Sequence, residues 1–287
     1  MRKTTRLKAL LEARRGITIP GAANAMFARV IEELGFEVCY LTGAGIANMH
    51  LGAPDIGLTT LTEIANVTAA TSDAVDLPLL VDADTGFGNA VNMIRTVKVL
   101  ERAGAAGIQI EDQVFPKKCG HFNGKEVVSL PEMIVKIKAA VDARGDADFQ
   151  IVARTDARAI EGLDAAIDRA HAFIDAGATA TFVEAPTSFA EMERIARELP
   201  APQIANIVFG GKTPDPGRSK LGEMGFAGVL YANAALQAAL RASFDVLTSL
   251  KEHGSLDRVA DRLASFDERQ SAVAKPRWDS LEAKYRV

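Results

Sequence analysis

What this 287-residue chain lacks narrows its role first. It has only two cysteines, Cys39 and Cys119, far apart, so no disulfide framework organises the fold. Aromatic residues make up 6% of the chain, too few for a base-stacking surface. The 33 basic and 37 acidic residues leave a net charge of −4 with no basic block. Nucleic acid and anionic membranes are therefore not expected partners. No apolar run approaches the roughly 18–20 residues that span a bilayer. The basic N-terminus, MRKTTRLKALLEARRG, has charges between Leu7, Leu10 and Leu11. It reads as a short amphipathic helix without a signal-peptide core. A cytoplasmic, reducing setting is the default, and organelle import stays open.

What is present is a globular composition, 48% hydrophobic and 24% charged, with a regular alternation of elements. Short β-branched apolar runs are expected as strands at 17–20, 37–41, 77–82, 107–111, 149–154, 181–184, 203–208 and 228–231. Helical patterns lie between or after them at 22–34, 61–75, 90–103, 131–143, 163–176, 189–199 and 234–252. Gly35, Gly104, Gly177 and Gly225 each follow a helical pattern, where a left-handed C-cap favours glycine. Eight strands with helical connections call for a parallel sheet covered on both faces. The expected fold is α/β: one (β/α)8 TIM-type barrel over 1–287, with additional C-terminal helices at 255–287. No linker or low-complexity stretch divides the chain.

In such a barrel, chemistry sits where strands end and βα loops begin. Those ends are polar here: Tyr40 through Gly45, Asp82 through Gly86, Glu111–Asp112, Arg154–Thr155–Asp156, Glu184 and Asn206. A single acid at such a position is ordinarily a helix cap. Several converging on one face, with Glu111 and Glu184 expected as last strand residues, argue for a site. Asp82, Asp84, Glu111 and Glu184 are hard oxygen donors of the kind Mg²⁺ or Mn²⁺ takes. His and Cys at zinc-ligand spacing are missing. Arg154 is the one basic residue at an expected strand end; its fork suits a substrate carboxylate, or an internal pair with Glu184 or Asp82. No lysine ends an expected strand, so a Schiff-base aldolase lacks its nucleophile.

One connection stands apart. After Glu111 comes QVFPKKCGHFNGKEVVS, a long polar loop in which Lys117, Lys118 and His121 surround Cys119. Basic neighbours lower a thiol's pKa or ease its proton exchange. With Gly120 and Gly124 as hinges, the loop suits a lid that closes over substrate. Cys39, inside an apolar strand, fits an inert core thiol.

VDADTGFGNA at 81–90, GIQIEDQ at 107–113, KKCGH at 117–121 and ARTDA at 153–157 together resemble the isocitrate lyase/phosphoenolpyruvate mutase superfamily. The resemblance runs from about residue 17 to 252, and KKCGH is similar to the signature of its lyase branch. It implies a Mg²⁺ ion near Asp82, with Asp55, Asp84 and Glu111 holding it directly or through water. It implies that Tyr40 meets the substrate hydroxyl, and that Thr42, Gly43 and Ala44 with Arg154 and Asn206 bind the α-carboxylate end. Glu184 and His121 complete the pocket, Lys118 and His121 support the departing enolate, and Cys119 protonates it. The family's usual assembly is a homotetramer with C-terminal helices swapped between barrels. The expected reaction is cleavage of a substituted 2-hydroxy diacid, of 2,3-dimethylmalate or 2-methylisocitrate type, to pyruvate and a carboxylic acid. Alternatives on the same scaffold are oxaloacetate decarboxylation or hydrolysis and phosphonate C–P chemistry. After CGH this chain has Phe122-Asn123-Gly124-Lys125, where methylisocitrate-type lyases usually have Arg. The loss points to a less charged, alkyl-substituted malate, with Lys125 left as an alternative source of charge.

Overall fold

The computed structural model of the chain describes residues 1–118, 120 and 124–286. Helix α1 (Lys3–Glu12) precedes β1 (Ile17–Ala22), α2 (Ala25–Glu33) and β2 (Cys39–Leu41). A short helix α3 (Gly43–Ile46) and a π-turn (Ala47–Leu51) follow, then α4 (Leu61–Ala74). The pattern continues with β3 (Leu79–Asp82), α5 (Ala90–Arg102), β4 (Gly107–Glu111), α6 (Leu130–Ala143) and β5 (Gln150–Thr155). Next come α7 (Leu163–Asp175), β6 (Ala180–Val183), α8 (Phe189–Glu198), β7 (Ile204–Asn206), α9 (Arg218–Met224) and β8 (Gly228–Tyr231). The chain ends in α10 (Ala234–His253), a 3₁₀ turn (Asp257–Arg262), α11 (Phe266–Ala272) and α12 (Lys275–Tyr285).

The eight strands pair in parallel, in the order β6-β5-β4-β3-β2-β1-β8-β7, and a parallel bridge between Thr181 and Gln203 links the two outer strands. The eight strands thus form a nearly closed barrel, as the alternation of elements predicts.

Period-two alternation stacks the inward-facing side chains in layers. Ile19, Val38, Leu80, Val152, Phe182 and Ile204 form an apolar lower layer, plugged from below by Leu7 and Leu11 of α1. One step up several strands the residues turn polar: Asp82 over Leu80, Arg154 over Val152 and Asn206 over Ile204. The outward faces pack on the helices through Leu79, Val81, Ile108, Ile110 and Ile151.

Several boundaries move. Asn24 accepts a hydrogen bond from Phe27 N and caps α2, so the expected start at 22 becomes the end of β1. The expected β2, β3 and β7 are shorter than drawn. Residue Glu184, expected as the last residue of β6, lies just past its end at Val183. The C-terminal helices are present, and α10 buries none of its own residues.

Candidate active site

The polar strand ends converge at the C-terminal mouth of the barrel around a cavity of about 60 Å³. Its lining includes Tyr40, Thr42, Ala44, Asp55, Asp82, Glu111, Lys117, Lys118, Gly120, Arg154, Glu184 and Asn206. A single water needs ~10–15 Å³ by this measure, so the cavity has room for several waters.

Asp82 ends β3 and is nearly buried. Its Oδ2 accepts from Gly43 N at 3.2 Å and its Oδ1 from Asp84 N at 3.2 Å. The second bond comes from a tight turn in which Asp84 holds a left-handed φ of 48°. That conformation disfavours most non-glycine residues and marks a position held by its surroundings. Gly43, the first residue of α3, sits so close that a Cβ there would stand 3.0 Å from Asp82 Oδ2.

Burial and a neighbouring ion pair set the electrostatics. Burial pushes the Asp84 carboxyl up to about 7, with Lys117 pulling it back and Asp82 and Asp55 adding to the rise. Lys117, 3% exposed, places its ammonium 2.8 Å from Asp84 Oδ1 and hydrogen-bonds Asp55. Burial also holds Glu111 well above the ordinary carboxylate range despite Arg154 Nε at 3.4 Å. Its Oε1 has no hydrogen-bond partner.

Arg154, on β5, presents Nε and one terminal nitrogen to Asp156 at 3.0 and 3.1 Å. Its other terminal nitrogen lies 3.9 Å from Glu184 Oε2, and the guanidinium stacks 5.2 Å above the Phe182 ring. The internal partner of the fork is thus Asp156, two residues on, with Glu184 more distant. Asn206 Nδ2 reaches both Glu184 oxygens at 3.4–3.5 Å, leaving Asn206 Oδ1 unpartnered.

The Tyr40 hydroxyl donates to Gln109 Oε1 at 2.6 Å. Full burial, and then Asp82, hold its pKa well above 10. Thr42 caps α3 by accepting from Gly45 N, and its hydroxyl donates to Asn233 Oδ1 at 3.1 Å. The anion cradle expected at Thr42–Ala44 therefore exists as a helix start, with the Gly43 amide already given to Asp82.

In the loop expected to serve as a lid, Lys118 is exposed and its ammonium donates to Gly124 O at 2.6 Å. The lysine placed among the acids is its neighbour Lys117. Cys119 and His121, the expected proton donor and its helper, lie outside the described residues. Gly120 is buried at the mouth: a methyl group there would collide with Arg154 and Glu184. The Lys125 ammonium donates to Gly120 O and to Asp156 Oδ1.

Sequence reasoning did not single out Gln109, Asp156 or Asn233 as site residues. Gln109 was accessible through alternation, since it sits two residues before Glu111 on the same inward face. Asn233 follows the end of β8, which with β1 was left out of the expected cluster of strand ends.

Among the described residues, no group of three or more His, Cys, Asp or Glu side chains is arranged to hold a metal ion directly. The donor set suits an ion that keeps much of its water. Asp82, Asp84, Asp55 and Glu111 are hard oxygen ligands, two of them destabilised as carboxylates by burial, and Glu111 Oε1 is orphaned. Magnesium has that preference.

The family described as phosphoenolpyruvate phosphomutase matches residues 7–251. The chain is 43% identical to 2,3-dimethylmalate lyase of Eubacterium barkeri over 99% of both chains. It is 44% identical to 2-methylisocitrate lyase of Aeropyrum pernix over 97% of this chain and 89% of that one. A crystal structure of 2,3-dimethylmalate lyase superposes with a TM-score of 0.94 at 32% identity, covering 100% of this chain and 96% of the other. The complex of phosphonopyruvate hydrolase with oxalate and Mg²⁺ superposes at 0.90 and 29% identity, covering 99% of each. Coverage of this extent, with the polar strand ends in place, decides the assignment. The chain belongs to the phosphoenolpyruvate mutase/isocitrate lyase superfamily and is a carbon–carbon lyase within it.

Proposed function

We propose that the chain cleaves a 2-hydroxy dicarboxylate with alkyl substituents, of the 2,3-dimethylmalate type, to pyruvate and a carboxylic acid, using Mg²⁺ (or Mn²⁺). The observation that carries the substrate class is how fully the cations are committed. Among the described residues, those lining the cavity are Arg154, Lys117 and Lys118. Arg154 is held by Asp156, Lys117 by Asp55 and Asp84, and Lys118 by Gly124 O. Lys125, the alternative source of charge for a third carboxylate, is spent on Gly120 O and Asp156. A site so committed favours a diacid over a tricarboxylate. A 2-methylisocitrate activity is the second reading, favoured by the 44% identity to a lyase of that name.

Asp82, with Asp55, Asp84 and Glu111, would hold the ion, which when bound polarises the substrate hydroxyl and the adjacent carboxylate. We assign that carboxylate to the start of α3 and to the one terminal nitrogen of Arg154 that Asp156 does not take, with the unpartnered Asn206 Oδ1 accepting from the substrate. Tyr40 orients the hydroxyl and is ill suited as the base, because its own proton is committed to Gln109 and burial opposes the phenolate. The hydroxyl proton passes instead to a carboxylate of the cavity, for which raised acids such as Glu111 are suited. As the C2–C3 bond breaks, its electron pair stays on C3 as the enolate of the departing acid. The Cys119 thiol protonates that carbon, and the resulting thiolate recovers a proton before the next turnover. Lys118 and His121 are assigned to the departing charge. The decisive assay incubates protein and Mg²⁺ with substituted malates, 2-methylisocitrate and oxaloacetate, then measures pyruvate and its co-product. Pyruvate and CO₂ from oxaloacetate alone would replace the lyase reading with a decarboxylase.

The assembly we propose is a homotetramer with swapped C-terminal helices. Leu240, Phe244 and Leu247 of α10 are 57–65% exposed, an apolar stripe that a neighbouring barrel would cover. Light scattering on the intact chain tests this; a monomer would refute it. No described helix is long and apolar enough to cross a membrane, and a cytoplasmic location remains part of the proposal.

A further inference from the structure

We infer that Lys125 is a positioning residue: its ammonium clasps the lid, through the Gly120 carbonyl, to the same Asp156 carboxylate that aims Arg154. The inference rests on the lyase reading for its catalytic consequence but on geometry for the clasp. The lid's stem is tied at Gln113, whose side chain accepts from Lys118 N at 2.9 Å and donates to Lys118 O at 2.8 Å. Its tip has a separate anchor. Beyond the turn at Gly124 (φ 73°), the Lys125 side chain folds back to the carbonyl five residues earlier.

That side chain is 2% exposed, and its carboxylate partner is fully buried. A buried ammonium persists where it is paired and its donors are used. Here one donor goes to a main-chain oxygen of the lid and another to Asp156 Oδ1. The same carboxylate takes Arg154 through both oxygens. Gly120 presses on Arg154 and Glu184 with no room for a side chain. Seating the lid and aiming the guanidinium are thus one arrangement with a shared carboxylate at its centre.

The test replaces the ammonium and reads the lid as well as turnover. In Lys125→Met, kcat for the cleaved diacid should fall about 10²-fold, the penalty for ångström-scale misplacement, with KM changed less than about threefold. Lys125→Arg should recover about tenfold of that loss, since it keeps a cation on Asp156. The second readout is tryptic cleavage after Lys118. Oxalate with Mg²⁺ should suppress it in the wild type and fail to do so in Lys125→Met. Wild-type turnover, or lost turnover with full protection, overturns the clasp. So does a Lys125→Met protein whose loss is explained by unfolding at the assay temperature while Lys125→Arg behaves as wild type. If Lys125→Met does not fold, Lys125→Arg decides: reduced kcat with weakened protection supports the clasp. Absence of cleavage by the wild type on every diacid would remove the lyase reading, and the protection assay would still judge Lys125.

Discussion

The two ends of the barrel interior are built from the same strands and do opposite things. At the floor, Leu7 and Leu11 of α1 seal an apolar layer, and charges are kept outside, where Arg2 meets Asp146 and Asp148 at 3.1 and 3.0 Å in solvent. At the mouth the charges are inside: Asp82, Asp84, Glu111, Asp156, Glu184, Lys117 and Arg154 are all buried. Burying ions is unfavourable unless each is paired, and Glu111 retains an unpaired oxygen. The floor therefore supplies stability and the mouth consumes it, the expected division when a rigid scaffold carries a preorganised polar site.

That contrast can be broken at either end. The largest effect is expected for Cys119→Ser, which should lower cleavage about 10²–10⁴-fold. Its melting midpoint and Mg²⁺-dependent binding of a 2-oxo acid should stay near wild type, by calorimetry; near-normal turnover would remove Cys119 from the mechanism. The mirror image is Leu11→Ala at the floor, expected to destabilise by about 2–5 kcal/mol in denaturant unfolding while activity per folded molecule is kept. A catalytic defect without lost stability would blur the division.

The pH dependence sharpens the comparison. Asp84 titrates at about 7 and Asp112, also buried near the mouth, at about 6, both raised chiefly by burial. A raised folded-state pKa means that the folded protein binds more protons than the unfolded one. The contribution of these groups is full below about pH 4 and is lost as pH rises through 6 and 7. Metal-free protein should therefore lose stability between about pH 4 and 7, by at most ~1.4 kcal/mol per pH unit for each group, and these groups should add no further loss above that. Added Mg²⁺ should flatten the Asp84 part of that slope, because a cation favours the ionised acid. A flat profile without metal would show that the mouth's acids are ionised at no cost. The smallest effect is expected at the floor's surface: Arg2→Ala should leave the melting midpoint within about 2 °C, since exposed ion pairs contribute little.

Much of this division was legible in the sequence. The strands were readable because β-branched runs bounded by glycine carry their own period, and the polar ends of those runs, among them Asp82, Glu111, Arg154 and Asn206, marked one face of the barrel. The loops carry no such period. Lys117 and Lys118 are adjacent and chemically alike, and only the three-dimensional path puts the first among acids and the second at Gly124 O. The GAGIANMHL segment lacks an amphipathic repeat, so α3 and the π-turn went unforeseen although Gly43 was singled out. Asp156 was noted as part of a polar strand end, but nothing in its neighbours indicates that Lys125, 31 positions earlier, returns to it.

Gly43 gives its amide hydrogen to Asp82, so the two halves of the pocket share one bond. Under the proposed function, a cation that draws that carboxylate also re-aims the peptide plane assigned to an incoming acid. Cation and acid should then bind cooperatively, each making the other's berth better shaped, even where they never touch.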